Sequence, residues 1–378
     1  MISTFWFCLI LVAYVYAGYP LLLVSGCLGG RRPIRKSAMT PSLTIVVPAH
    51  NEEKNIRSKI ENLLAQDYPS GKLEILIGND GSTDRTVDIV NGLTEARLRL
   101  VSSPLQLGKS GIQNRMVAES TGDVLVFTDA DCMLPPNGLR LLVEAFSDRH
   151  VGLITNCARM INEHETAVSE SEGFYWRYER WIRSEESDRE LLAMASGSLF
   201  ALRRELWHTL DPDVGDDFVL PLRVVRAGFR NVLEERVAAA TRLSQDQPHS
   251  MFRMKARIIS KDLRGLIRNA ACLNPFQLGW VAVGLWSHKL LRWAIPYFLI
   301  GLLLSNLFLA ERNIYYGVFL VAQCGFYLVA ALGLLLSRQR VKFPVSAVAS
   351  FCLVNAAALF GTLHCLTWQD SGQWKTVR

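Results

Sequence analysis

Three clusters of acidic and amide residues each follow a short apolar segment of the chain. They are Pro48-Ala49-His50-Asn51-Glu52, Asn79-Asp80-Gly81-Ser82-Thr83-Asp84 and Asp129-Ala130-Asp131. In an open α/β sheet, ligands bind in the crevice outside the carboxyl ends of the strands. Because the clusters are far apart in the sequence but converge on that edge, they predict one polar binding site.

Asp129 and Asp131 have the residue type and the spacing to bind a hard cation. Two neighbouring carboxylates at a strand end can hold Mg²⁺ or Mn²⁺, while phosphate oxygens of a substrate complete the coordination shell. A solvated turn after a strand has the same composition, and the Asp-x-Asp spacing recurs at Asp211-Pro212-Asp213. The motif alone therefore leaves a metal site and a turn as alternatives.

Asp80 and Lys109 are further candidates for ligand binding. Asp-Gly followed by Ser-Thr-Asp is typical of a turn and a helix N-cap, so we expect Asp84 to cap a helix and Asp80 to face the ligand. Gly108-Lys109-Ser110 resembles the end of a phosphate loop, but Ser103 stands where that loop needs glycine, which excludes a P-loop NTPase. Lys109 either contacts a phosphate near a helix start or lies on the surface.

Asp216 and Asp217 are two adjacent acids ahead of an apolar helical pattern. Acidic residues at such a position ordinarily cap the helix. A second carboxylate turned towards the crevice is also what a general base needs. Asp217 is therefore a candidate catalytic residue.

The segment from Pro41 to about Leu290 alternates between strand and helix patterns. This alternation predicts an α/β fold with a mostly parallel sheet and helices on both faces. A dehydrogenase is disfavoured because no Gly-x-Gly-x-x-Gly follows the first strand. The predicted strands are Leu43–Pro48, Leu73–Gly78, Leu98–Ser102 and Val124–Thr128, and the predicted helices are about Glu52–Gln66 and Thr86–Ala96.

Apolar stretches at both ends of the chain predict membrane helices. No charged residue occurs between Phe5 and Gly30, which is long enough to cross a bilayer. We interpret this stretch as a retained anchor rather than a cleaved signal peptide, because it lacks a basic N-terminal region. Pro275–Trp286 is too short to span and is interpreted as an interfacial or re-entrant piece. Three further stretches are long enough to span: Trp293–Ala310, Asn313–Ser337 and Phe343–Trp368.

The distribution of charge predicts how the protein lies in its membrane. Arg31, Arg32, Arg35 and Lys36 follow the first apolar stretch, so the middle domain is expected in the cytoplasm and the protein in the inner (cytoplasmic) membrane. The net charge is +6 over 378 residues. Such mild basicity fits a membrane-surface protein better than a nucleic-acid binder, for which one concentrated basic patch is expected.

The most regular periodic signal is a basic stripe ahead of the C-terminal apolar stretches. Its spacing of three and four residues predicts one helix face, beside an apolar face. Such a helix can lie in the membrane interface with its cations towards anionic headgroups. Alternatively, its first turn reaches a leaving diphosphate. The basic residues are Arg253, Arg257, Lys261, Arg264 and Arg268.

Taken together and in order, the motifs resemble those of membrane-bound family 2 glycosyltransferases. The motifs are Pro-Ala-His-Asn-Glu, Asn-Asp-Gly-Ser-Thr-Asp, Gly-Lys-Ser, Asp-Ala-Asp, Gly-Asp-Asp-Phe-Val-Leu-Pro and Arg-Met-Lys-Ala-Arg. The family consists of inverting enzymes with a GT-A fold, related to cellulose and hyaluronan synthases. The resemblance implies an N-terminal anchor (1–30), a cytoplasmic GT-A domain (41–250), interfacial helices (251–290), C-terminal membrane helices (291–368) and a tail (369–378).

The resemblance also implies a role for each candidate residue. Asp217 would be the base, Asp131 would bind Mg²⁺ or Mn²⁺, and Asp80 would lie towards the uracil of a UDP-sugar. Ser196, Gly197 and Asp216 would line the acceptor site. The residues implied to bind the nucleotide-sugar donor are Pro48, Asn51, Glu52, Asp80, Lys109, Asp129 and Arg257.

One departure from the family pattern affects the expected product. Processive synthases carry Gln-x-x-Arg-Trp, whereas this chain has Met254-Lys255-Ala256-Arg257-Ile258 and lacks the glutamine and the tryptophan. The expected activity is transfer of a hexosyl or N-acetylhexosaminyl group to a saccharide or lipid-linked acceptor in polysaccharide or glycan synthesis, with possible partners from an export system. The alternative is a non-processive enzyme that glycosylates a lipid carrier or membrane lipid.

Overall fold

A computed structural model describes residues 1–156, 159–161, 167–242, 248–336 and 344–367. Its centre is a seven-stranded sheet, and a three-stranded sheet lies beside it. The strands are β1 Leu43–Ala49, β2 Leu73–Asp80, β3 Leu98–Ser103, β4 Val124–Thr128, β5 Cys132–Met133, β6 Val151–Asn156, β7 Arg159–Ile161, β8 Leu199–Arg203, β9 Arg230–Glu234 and β10 Ala240–Arg242.

Fourteen α-helices occur in the described residues, and two π turns interrupt the membrane helices. The π turns are Tyr14–Gly18 and Leu285–Leu290. The α-helices are α1 Ile2–Ala13, α2 Tyr19–Val24, α3 Ile56–Leu64, α4 Thr86–Asn91, α5 Gly108–Glu119, α6 Gly138–Val143, α7 Ala167–Asp188, α8 Asp216–Arg226, α9 Pro248–Arg268, α10 Pro275–Leu278, α11 Trp280–Gly284, α12 Leu291–Leu309, α13 Ile314–Leu335 and α14 Val345–Thr367.

The strand order in the large sheet is β3-β2-β1-β4-β8-β6-β9. The first four strands in this order are parallel, so the loops that follow β1, β2 and β4 emerge at one edge, as predicted. β8 is antiparallel to both of its neighbours, which makes the sheet mixed. The apolar run Met194–Leu202 supplies that reversed strand, and its start therefore lies at the same edge as the end of β4.

Strand β1 is buried on both faces because helices cover both sides of the sheet. Ile45 and Val47 pack in one apolar cluster with Ile60 of α3. Val46 faces the opposite way and packs with Ile112 of α5. A continuous apolar run rather than an alternating one is what such double burial requires. The four predicted strands are confirmed, each within two residues of its predicted end.

The two predicted helices exist but are shorter than expected. Helix α3 begins at Ile56 rather than Glu52, because residues 52–55 form a turn that connects to the loop after β2. There, the backbone N–H of Glu52 donates to Thr86 Oγ1 at 2.8 Å, and that of Glu53 donates to Asp84 Oδ2 at 3.1 Å. Helix α4 ends at Asn91 rather than Ala96. The shortening leaves the residues after β1 free to line the sheet edge.

Four helical segments are long and apolar enough to cross a membrane: Ile2–Val24, Trp280–Leu309, Ile314–Leu335 and Val345–Leu366. The second segment, Trp280–Leu309, begins earlier than the stretch Trp293–Ala310 that the sequence predicted. Pro275–Trp286 was expected as a separate interfacial piece, but its second half is continuous, through the π turn, with the membrane helix. The predicted start at Trp293 was late because His288, Lys289 and Arg292 break the apolar pattern.

Helix α9 carries the basic stripe and packs on membrane helix α14. The contact is close, since a Cβ at Gly361 would lie 2.6 Å from the carbonyl oxygen of Ala256. Ile259 is buried, whereas Arg257 is exposed. The basic residues of the stripe do not form one uniformly exposed face, because Arg264 is buried. Attachment of α9 to a membrane surface stays a prediction.

Candidate active site

The loops that follow β1 and β2 form one hydrogen-bonded wall of the site. The backbone N–H of Asn51 donates to Ser82 Oγ at 3.0 Å, and Asn51 Oδ1 accepts from the Thr83 N–H at 2.8 Å. Asn51 has a φ of 56°, a left-handed conformation that asparagine tolerates better than most residues. Pro48 is buried in β1, opposite Gly78. The first two sequence clusters are thus brought together as predicted.

Asp80 has a different environment from the one predicted. Its side chain is fully buried, and its two carboxylate oxygens accept hydrogen bonds from the backbone N–H groups of Leu107 at 2.6 Å and Gly108 at 3.0 Å. A carboxylate is favoured there because the first N–H groups of a helix have no partner within the helix. Asp80 therefore holds the start of α5, and its contact with the uracil of a donor stays a prediction.

Asp129 and Asp131 lie at the end of β4, opposite Glu52. The Asp129 carboxylate accepts from Lys109 Nζ at 3.0 Å. Burial, together with the negative charges of Asp129 and Glu52, raises the pKa of Asp131 to about 6. Burial disfavours the charged form of this carboxyl, and the neighbouring carboxylates add to the effect.

This arrangement fits a divalent cation that is shared with a substrate. Within the described parts of the chain, no three His, Cys, Asp or Glu side chains form a group that could hold a metal ion. The Asp-x-Asp turn therefore offers at most two carboxylates. Mg²⁺ and Mn²⁺ commonly bind through one or two carboxylates, with water and phosphate oxygens as the other ligands.

Lys59 is a residue that the sequence reasoning missed. It lies on α3, it is fully buried, and its ammonium group donates to Thr128 Oγ1 at 2.9 Å and to the Cys132 carbonyl oxygen. Burial lowers the pKa of Lys59 to about 8. The side chain bridges the two residues that flank the Asp-x-Asp turn, so it fixes that turn from behind. A lysine on an otherwise apolar face of α3 was the available signal.

Lys109 connects the Asp-x-Asp turn with the acids at the start of α8. Its Nζ lies 3.0 Å from Asp129, 3.6 Å from Asp216 and 3.4 Å from the carbonyl oxygen of Gly197. Burial lowers the pKa of Lys109, but the charges of Asp129 and Asp216 outweigh it and raise the pKa above its ordinary value. Lys109 is thus an ammonium ion at the centre of the site, not a surface lysine.

Asp216 is a structural member of the cluster. It is buried, and Gln113 of α5 donates to its Oδ2 at 2.7 Å. This bond and the ion pair with Lys109 join α8 to α5. Gln113 was not identified from the sequence, since no motif marks it.

Asp217 lies against the loop that leads into β8. Its backbone oxygen accepts from the N–H of Ala195 at 2.8 Å, and its Oδ2 lies 2.8 Å from the position of a Cβ at Gly197. Only glycine allows this approach. Ser196 donates its N–H to Thr155 Oγ1 at 2.7 Å, which holds the loop on β6. Burial and the charge of Asp216 raise the pKa of Asp217 to about 6.

Two charged residues from outside the sheet also reach this end of the site. Asp262 of α9 is buried, and its Oδ1 lies 3.2 Å from the position of a Cβ at Gly215. Lys289, in the second π turn, acts electrostatically on both Asp217 and Asp262. The sequence offered one signal for Asp262, an acid amid the basic residues of α9. Arg257, on the same helix, is exposed, and its contact with a diphosphate stays a prediction.

Residues 44–210 match the family model Glycosyl transferase family 2. The chain therefore carries a family 2 glycosyltransferase domain, as the motifs predicted. The matched segment includes the three strand-end clusters, Lys109 and the Ser196–Gly197 loop. It ends before Asp216, Asp217 and Asp262.

Several curated proteins are similar to this chain over part of their length. The probable glycosyltransferase YdaM of Bacillus subtilis is 31% identical over 208 residues, which are 50% of this chain and 48% of that protein. A β-monoglucosyldiacylglycerol synthase of Synechocystis is 33% identical over 127 residues, 32% of this chain and 26% of the synthase. An N-acetylglucosaminyltransferase of Mesorhizobium japonicum is 26% identical and covers 53% of this chain and 51% of that protein. The chain thus spans about half or less of these relatives.

One solved structure is similar over almost the whole chain. It is a mannosyltransferase of Pyrobaculum calidifontis in complex with GDP-mannose and Mn²⁺, with a TM-score of 0.76 and 21% sequence identity. The similarity covers 96% of this chain and 99% of that structure. The predicted GT-A fold, with one N-terminal and three C-terminal apolar helices, is therefore confirmed.

Proposed function

We propose that the protein is an inverting glycosyltransferase that transfers a sugar from a nucleotide-sugar donor to an acceptor at the membrane. The observation that carries the proposal is the chain of ion pairs from Asp129 through Lys109 to Asp216. It joins a turn suited to a metal-bound diphosphate with the two acids at the start of α8. This arrangement supports a donor site and a base that share one crevice.

Asp217 is the proposed general base. With a pKa of about 6, it is largely ionised at neutral pH and is still basic enough to accept a proton from an acceptor hydroxyl. The new bond forms between that oxygen and the anomeric carbon as the bond to the diphosphate breaks, and in-line attack inverts the anomeric carbon. General-base catalysis of this kind typically contributes about 10²–10⁴-fold.

Asp129 and Asp131 are the proposed metal and diphosphate ligands. A bound Mg²⁺ or Mn²⁺ would stabilise the negative charge that develops on the leaving nucleoside diphosphate. Lys109 orients Asp129, while Lys59 holds the ends of the turn. Asn51 and Glu52 stand on the opposite wall, where the nucleotide is proposed to bind. The mannosyltransferase of similar fold was solved with GDP-mannose and Mn²⁺, which supports a nucleotide-sugar donor and a divalent cation here. A UDP-sugar is the expected donor.

A lipid or lipid-linked acceptor is favoured over a free sugar. The end of the site that holds Asp217 is built partly from α9, which packs on a membrane helix, and from Lys289 at the start of another. One similar protein is a β-monoglucosyldiacylglycerol synthase. This chain lacks the Gln and the Trp that processive synthases carry, which also favours a lipid or lipid-linked acceptor. By the basic residues after the first span, the catalytic domain is proposed to face the cytoplasm, at the inner membrane.

Elongation of a polysaccharide is the second candidate. It is supported by the similarity to an N-acetylglucosaminyltransferase and by three C-terminal apolar helices, which could guide a product with the help of export partners. The two candidates predict products of different size and solubility.

The test uses the full-length protein in nanodiscs with Mn²⁺ and labelled UDP-glucose, UDP-N-acetylglucosamine or GDP-mannose. Diacylglycerol or polyprenyl phosphate is added in separate reactions. Label that becomes extractable into organic solvent supports a lipid acceptor, and label in large water-soluble material supports elongation. If no nucleotide sugar is consumed under any condition, the proposed function is wrong.

A further inference from the structure

The end of the site that holds Asp217, called the acceptor end after its proposed role, contains a second buried carboxylate, that of Asp262. The Oδ1 atoms of Asp217 and Asp262 lie 3.0 Å and 3.2 Å from one point, the position that a Cβ at Gly215 would occupy. Asp217 comes from the start of α8, whereas Asp262 comes from the middle of α9, 45 positions later in the chain. A side chain at Gly215 would displace both carboxylates, so the glycine makes their approach possible.

We propose that Asp262 is a positioning residue for the base Asp217, and that Lys289 of the membrane helix supplies the counter-charge for this pair of carboxylates. The inference rests on the proposed function, since it assigns residues that act through Asp217. The inference extends the site beyond residues 44–210, which match the family model, to Lys289 in a membrane helix.

The charges around the pair support this assignment. Two neighbouring buried carboxylates do not readily ionise together, because each disfavours the charge of the other. Burial and the charge of Asp217 raise the pKa of Asp262 well above its usual range. Asp217 itself is faced by Asp216 of α8 and Asp129 after β4, which oppose its ionisation, and by Lys109 of α5 and Lys289, which favour it.

Lys289 is held in place by its neighbours in the π turn. His288 Nδ1 lies 2.7 Å from Glu186 Oε1, and His288 Nε2 lies 3.1 Å from Glu179 Oε1. Both glutamates belong to α7, which lies within the predicted catalytic domain. Lys289 Nζ lies 6.0 Å from the ring centre of Phe218, the residue after the base. The π turn therefore directs Lys289 towards the start of α8.

Two single substitutions are expected to change the pH profile in different ways. The acid limb of kcat/KM reports ionisation of the base in the free enzyme. In Asp262→Asn no charge is lost, because the raised pKa keeps Asp262 protonated while Asp217 ionises. The limb therefore stays in place, and kcat/KM on the plateau falls roughly tenfold through misplacement of the base. In Lys289→Met, the counter-charge is lost, and the limb moves to higher pH by about one unit. Lys289→Arg is expected to restore the wild-type limb.

The measurement is kcat/KM of full-length protein in nanodiscs from pH 4.5 to 9, with the nucleotide sugar that the wild type consumes. Asp67→Asn is the matched control, because it removes a carboxylate from an exposed ion pair with Arg140 and should leave the limb in place. Thermal unfolding is recorded for each variant. An amide in place of this protonated carboxyl should not lower the melting temperature of Asp262→Asn. Lys289→Gln is substituted if Lys289→Met does not fold.

A limb at higher pH in Lys289→Met, together with an unshifted limb and a lower plateau in Asp262→Asn, supports the proposal. An unshifted limb in Lys289→Met, or a wild-type plateau in Asp262→Asn, overturns it. Asp217→Asn is assayed alongside. If that variant keeps wild-type turnover, the assignment of the base fails, which is distinct from failure of Asp262 and Lys289 to tune it.

Discussion

The proposed donor end of the site and the proposed acceptor end, around Asp217, are built in different ways. The donor end consists of loops that directly follow β1, β2 and β4, so short sequence motifs contain most of it. The acceptor end joins the start of α8, the loop before β8, the middle of α9 and a π turn in a membrane helix. The family match includes the donor end and stops before Asp216. The difference teaches that the donor end lies within the segment that matches the family model, whereas the acceptor end depends on how this chain packs on its membrane helices.

Asp217→Asn is expected to have the largest effect. It separates proton transfer at the acceptor end from donor binding. Asp217→Asn removes the base but keeps the size and the hydrogen-bonding capacity of the side chain. We expect turnover to fall by about 10²–10⁴-fold. Turnover of labelled donor is the measurement, with Asp67→Asn as the control. A loss of less than tenfold would mean that another group accepts the proton.

Asp131→Ala tests the donor end in the same way. Loss of a metal ligand should reduce turnover by about 10²-fold, because stabilisation of the developing diphosphate charge is lost. The measurement is the dependence of turnover on Mn²⁺ concentration, with the wild type in chelator as the reference. Full activity of this variant in chelator would end the metal assignment.

Asp80→Ala distinguishes a positioning role from direct contact with the donor. The substitution leaves the buried N–H groups of Leu107 and Gly108 without their acceptor. We expect the free energy of unfolding to fall by about 2 kcal/mol. Thermal or denaturant unfolding checks this, and Asp80→Asn should lose less because it retains one acceptor. Unchanged stability together with a loss of donor affinity would instead favour the contact with uracil implied by the resemblance.

Gly197→Ala is expected to have the smallest effect on turnover. It acts where the loop before β8 meets Asp217. The new Cβ would lie 2.8 Å from Asp217 Oδ2, so the carboxylate must shift. We expect kcat to fall roughly tenfold through misplacement of the base, with the KM for the donor unchanged. Gly71→Ala is the matched control, since a Cβ there meets nothing within 4 Å. An unaffected kcat would show that Asp217 tolerates displacement.

The sequence allowed the donor end to be predicted because parallel strands deliver their following loops to one edge. The β-branched run of β1 and the clusters after β1, β2 and β4 were sufficient for that inference. The same local logic did not anticipate the hydrogen-bond partners of Asp80. The Asp-Gly turn indicated a carboxylate at the sheet edge, but the unpaired N–H groups at the start of α5, 27 residues later, bind it.

The acceptor end was only partly predictable because its members meet through packing of distant segments. Asp217 was found from its position ahead of an apolar helix. Asp262 and Lys289 carry no local pattern. The apolar run Pro275–Trp286, which ends just before His288 and Lys289, was interpreted as an interfacial or re-entrant piece, although its second half belongs to the span Trp280–Leu309. Only the π turn, which a hydropathy pattern does not reveal, directs Lys289 towards the base.

The most direct test of the two-part site is donor binding by Asp217→Asn and Asp131→Ala under the same conditions. Binding of nucleoside diphosphate with Mn²⁺ is measured by calorimetry on full-length protein in nanodiscs. The account predicts that Asp217→Asn binds as tightly as the wild type while turnover is lost, and that Asp131→Ala loses both. Equal loss of binding in the two variants would contradict it, because the base would then belong to the donor end.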